Sequence, residues 1–134
     1  PECEEATGVA RYQDVTIEGC FVYQVSRWGI AAGYTYAHEK FQGAELSEEI
    51  FLRYGHENMQ IRDNYVKAAG GDGITAMYAL RPLVEHNMAD SVACEINDRI
   101  YSEPGDRMGK VAAGIWPWKC KDAISVIMKL QTQD

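Results

Sequence analysis

Between residues 14 and 41, apolar side chains fall at Ile17, Phe21, Val25, Trp28, Ala32 and Tyr36, steps of three and four that predict one face of a helix. β-Branched residues crowd the same stretch, so a short hairpin near residues 15–25, turning at Glu18-Gly19, is the competing pattern. Ser47 followed by Glu48 and Glu49 marks a helix start, because the hydroxyl accepts from a free backbone N–H and the carboxylates favour the positive helix end. Ile50, Tyr54, Ile61, Tyr65 and Ala68 extend that stripe until Gly70-Gly71 stops it. Asp72 then caps a third segment along Ile74, Met77, Leu80, Val84, Met88, Val92 and Ile96, kinked or restarted at Pro82. Residues 102–114 hold Pro104, Gly105, Asp106, Gly109 and Gly114 and read as a loop, after which Pro117 opens a last helix bearing Cys120, Ala123, Ile124, Ile127 and Leu130. The prediction is an all-α fold of four to five helices around one core, a single helical domain over residues 1–134 with no internal repeat.

Composition supports one globular core, with 46% hydrophobic and 25% charged residues in 134. Thirteen Lys and Arg against 20 Asp and Glu leave a formal charge of −7, with the basic residues scattered singly, which argues against nucleic-acid binding. No apolar stretch is long enough for a membrane-spanning helix. An acidic surface suits a basic partner, such as an enzyme with a basic cleft.

Cys3, Cys20, Cys94 and Cys120 form an even, widely spaced set without metal-ligand clustering. Two disulfides follow as an expectation, Cys20 with Cys120 and Cys3 with Cys94, each worth about 4 to 5 kcal/mol by loop closure. Together with a start at Pro1 in place of Met, they predict a secreted or periplasmic protein.

Chemistry is harder to find. His38-Glu39, His56-Glu57 and Glu85-His86 are adjacent pairs that diverge on a helix and cannot grip one metal, so no metal or cofactor is implied. No serine has the surroundings of a hydrolase nucleophile, and Glu57 with Glu85 is the nearest pair of carboxylates. Gly70-Gly71-Asp72-Gly73 resembles an anion cradle but reads better as a flexible turn. Residues 102–118 carry Arg107, Met108, Lys110, Trp116 and Trp118 among glycines and prolines and are the expected partner-binding segment. No family resemblance is carried by these motifs. The function expected from them is non-enzymatic protein binding, by an inhibitor or a toxin-neutralising immunity protein. The alternatives are a small extracellular hydrolase using a carboxylate with His38, His56 or His86, and a helical carrier whose Met59, Met77 and Met88 line an apolar cavity.

Overall fold

A computed structural model describes residues 9–33, 38–42, 47–94 and 114–132, with side chains through residue 124. Among the described residues, ten strands stand where helices were predicted: β1 Gln13–Glu18, β2 Phe21–Val25, β3 Ile30–Ala32, β4 His56–Arg62, β5 Tyr65–Ala69, β6 Ile74–Met77, β7 Ala79–Leu80, β8 Leu83–Val92, β9 Ile115–Trp118 and β10 Ile124–Thr132. A 3-10 turn, His38–Phe41, and a short helix, α1 Glu48–Tyr54, lie between β3 and β4.

Every strand pairing is parallel, and partners recur at fixed offsets. Gln13 pairs with Glu57, Phe21 with Tyr65 and Ile30 with Ile74, each 44 residues on. Gln60 pairs with Leu83 and Tyr65 with Met88, 23 on. Ile74 pairs with Ile115 and Leu83 with Ile124, 41 on. Each offset is one turn of the backbone, so the chain winds as a parallel β-helix whose coils stack at about 4.8 Å. One sheet holds β1, β4, β8, β5 and β2 with β7 and β10, and a second holds β3, β6 and β9. The longer turns carry insertions between β3 and β4 and between β8 and β9.

The core is built of columns. Ile61 lies under Val84 and Val66 under Ala89, and Ile30, Ile74 and Ile115 stack in line, all buried. Ile17, Val22 and Val25 continue the columns into the first coil, where a cavity of about 210 Å³ opens among Tyr12, Val15, Ile17, Ala31, Ala32, Gly33 and Met59. A second cluster of Phe41, Phe51, Met77, Tyr78 and Leu80 fixes the first insertion to the coils.

Corners between strands explain why the apolar spacing imitates a helix. Asp14, Asn58, Arg81 and Asp122 stand in one column and all have φ between 50 and 59°. Gln24, Ala68 and Ser91 form another such column, and Gly19, Asp63 and His86 a third. Each left-handed residue adds a step to the alternation of a strand, turning a period of two into intervals of five and three, as at Ile17, Val22 and Val25, whose mean of about four lies close to the helical ~3.6. No β-branched residue occupies any of these positions, where its cost would be highest.

The all-α expectation is therefore wrong. Strands do occupy residues 15–25, but β1 and β2 form no hairpin with each other and pair instead with β4 and β5. The start at Ser47 is real, its hydroxyl accepting from the Ile50 N–H at 3.4 Å, yet the helix ends at Tyr54 because Gly55 caps it in extended conformation. Pro117 lies inside β9. The glycine cluster is a tight corner: a Cβ on Gly70 would lie 2.1 Å from the Ser26 carbonyl oxygen, and one on Gly73 2.4 Å from that of Gly114. Its N–H groups are used between coils, Gly70 donating to Val25 and Gly71 to Arg27, so it offers no anion cradle. The disulfides fail too. Cys20, Cys94 and Cys120 are free thiols in three different columns, while Cys3 lies outside the described residues. Among the described residues no helix is long and apolar enough to cross a membrane.

Candidate functional site

Helix α1 packs on the starts of β4 and β7 and leaves a cleft of about 410 Å³ lined by Leu52, Glu57, Asn58, Leu80 and Arg81. Two carboxylate–guanidinium pairs frame it. Arg11 Nη1 donates to Glu57 Oε1 at 2.9 Å and to the Leu52 and Gly55 carbonyls at 2.8 and 3.3 Å, tying the chain before β1 to the end of α1. Across the cleft, Arg81 Nη1 donates to Glu48 Oε1 at 3.3 Å. Asn58 Nδ2 donates to Asp14 Oδ1 at 2.7 Å, so the left-handed column that forms one wall also carries polar groups in register. Glu57 is half-buried and Glu48 exposed, an arrangement that presents two carboxylates and two guanidiniums to a polar ligand.

His56 stands beside this wall, buried. Its Nδ1 accepts from the Tyr12 N–H at 2.8 Å, and its ring lies 4.8 Å from that of Tyr12. Burial lowers its pKa below the usual imidazole value; the Gly33 carbonyl opposes that shift and the Arg11 charge adds to it. The ring is therefore held neutral, with the proton on Nε2.

The structure separates most of the residues that the sequence grouped. His38 is exposed on the 3-10 turn, and His86 is exposed at a corner with Nδ1 3.7 Å from Asp63 Oδ1. Glu85 pairs in register with Arg62, five residues along β4 from Glu57, a separation of about 16 Å that exceeds the ~5 to 9.5 Å between paired glycosidase carboxylates. Met59 is in the main core, Met77 in the second cluster and Met88 on an outer face, so the three line no common cavity. Trp116 is 43% exposed and leans against Trp118, whose ring packs 5.4 Å from Tyr78. Arg107, Met108 and Lys110 lie outside the described residues. The cleft residues Arg11, Glu48 and Arg81 were missed. They come from three stretches of chain joined only by the coil, and nothing local marks them.

No family model matches the chain. A lacto-N-biosidase of Bifidobacterium longum subsp. longum is 48% identical over 120 residues, which is 87% of this chain and 8% of that enzyme. Two crystal structures of the GH136 lacto-N-biosidase from Eubacterium ramulus are similar as well. The selenomethionine derivative matches all of this chain at 58% identity and a TM-score of 0.90, and the native protein matches 92% of it at 64% identity and 0.83. This chain spans 22% and 20% of those two solved chains. Such identity to glycoside hydrolases along nearly the whole chain overturns the reading as a non-enzymatic inhibitor or immunity protein.

Proposed function

We propose that this chain is a segment of an extracellular glycoside hydrolase of the lacto-N-biosidase kind, and that it meets the glycan at the cleft beside α1. The observation that supports the reading is the 58% identity carried across the entire chain at a TM-score of 0.90. Glycoside hydrolysis uses two carboxyl groups, one protonating the leaving oxygen and the other acting as base or nucleophile. Glu57 is this segment's contribution, held in one orientation by Arg11 and half-shielded from water. Arg81, Asn58 and Asp14 would bind sugar hydroxyls along the wall.

The test uses the full-length polypeptide that carries this chain, with 4-nitrophenyl lacto-N-bioside as substrate. Glu57→Gln keeps the shape and a hydrogen-bond acceptor for Arg11. It is expected to lower kcat by about a thousandfold with the unfolding temperature unchanged, the scale of a lost acid or base. A wild-type rate in this variant would remove Glu57 from the chemistry. Absence of hydrolysis by the wild-type polypeptide would sink the functional reading itself.

A further inference from the structure

The outer face of the β2–β5–β8 layer carries a grid of side chains set by register. Phe21, Tyr65 and Met88 form one row, and Tyr23, Lys67 and Asp90 the next. Between the rows, Val66 and Ala89 point inward and are buried, so the grid stands on a rigid floor. Phe21 is 65% exposed and Tyr23 53%, unusual for rings of that size. Their planes are within 10° of parallel with centroids 6.0 Å apart, and Tyr65 adds a third ring 5.3 Å from Phe21. Polar groups border the rings: Asp90 accepts from the Tyr65 hydroxyl at 3.3 Å and from the Ser91 hydroxyl at 3.0 Å, and Lys67 stands beside it in register.

We infer that this strip is a second glycan-binding surface, separate from the cleft, for a neutral oligosaccharide. A pyranose presents an apolar C–H face and a rim of hydroxyls, and the strip offers the complement of both, exposed rings beside a carboxylate and an ammonium that accept and donate hydrogen bonds. Other occupants fit less well. A nucleic acid needs a concentrated basic face, which a chain of net charge −7 with one lysine in the grid does not provide. The choice of a sugar over another apolar ligand rests on the glycoside hydrolase reading.

The full-length polypeptide is run in native gels containing polyacrylamide-linked lacto-N-biose, with unconjugated polyacrylamide as blank. Wild type is expected to be retarded, and a Phe21→Ala/Tyr23→Ala variant to show an apparent Kd at least tenfold weaker. Its unfolding temperature and its hydrolysis of 4-nitrophenyl lacto-N-bioside should match wild type, since the rings are exposed and remote from the cleft. Equal retardation of the two proteins, or none of either, overturns the inference whether or not the polypeptide hydrolyses the chromogenic substrate. Loss of a dimer by the variant in gel filtration, with retardation intact, also overturns it and assigns the strip to a second copy. Should the double variant unfold, Tyr23→Ala alone decides by the same readout.

Discussion

His56 owes its protonation state to the coil that surrounds it. In the unfolded chain an imidazole titrates near 6.5, whereas burial in the folded protein holds this one lower. The unfolded state therefore binds the proton more readily below that pH, and the native state gains nothing from it. Stability is expected to be full above about pH 6.5 and to decline as the pH falls from there toward the folded value. Urea unfolding at a series of pH values checks this. His56→Gln, which keeps an acceptor for the Tyr12 N–H, should flatten the dependence over that window, and an unchanged slope would show that another group carries it. The cysteines teach a related lesson, since burial pushes the Cys120 thiol up to about 11 and raises Cys94 too. Both behave as small apolar residues and not as half-cystines.

At the scale of elements, the corner between the first two strands of each coil is held by stacked amides. Asn64 Oδ1 accepts from the Cys20 N–H at 3.0 Å, and its Nδ2 donates to the Ile17 carbonyl at 3.0 Å. One coil on, Asn87 Oδ1 accepts from the Asn64 N–H and from Asn64 Nδ2, both at 3.0 Å, while its own Nδ2 donates to the Ile61 carbonyl at 2.8 Å. Both amides are buried, and each closes hydrogen bonds that the parallel ladder leaves open at the bend. Asn87→Ala would strand a buried N–H and a buried carbonyl at about 1 to 3 kcal/mol each. A loss of about 3 kcal/mol is expected in chemical denaturation, with the same m-value. A change below about 1 kcal/mol would mean that water replaces the amide.

Across the whole molecule, the spacing between coils is what the glycines protect. Gly29, Gly73 and Gly114 form one column, and each Gly-to-next-coil approach is closer than any Cβ allows: Gly29 would meet the Gly73 carbonyl at 2.5 Å, and Gly73 that of Gly114 at 2.4 Å. Ile30 and Ile74 donate to those same carbonyls at 2.9 and 2.8 Å, so the backbone cannot yield without breaking the ladder. Gly73→Ala is expected to cost about 3 kcal/mol or more by overpacking. Gly19→Asn is the contrast. Gly19 is left-handed at φ 67° with nothing within 4 Å of a Cβ, and Asp63 and His86 already hold that conformation in its column, so a change of about 0.5 kcal/mol is expected. Comparing the two variants by urea unfolding tests the stacking directly; equal costs would contradict it.

Some of this was determined by local chemistry alone. Ser47 with its two glutamates starts a helix here as its chemistry predicts, and β-branched residues at 15–17 and 22–25 favour extended backbone. A coil signal was present as well, in Gly29-Ile30, Gly73-Ile74 and Gly114-Ile115, but its offsets of 44 and 41 hide a 23-residue turn behind insertions. The tertiary structure alone decided that the strands pair in parallel with the next coil, because a parallel partner lies dozens of residues away and no turn specifies it. It also decided the cleft. Glu57 meets Arg11 across 46 residues and Glu48 meets Arg81 across 33, so their pairing exists only once the coils and α1 have packed. A helix period was the natural reading of Ile17, Phe21 and Val25, and Phe21 shows why it failed: the left-handed corner at Gly19 shifts the alternation and turns that ring out to solvent.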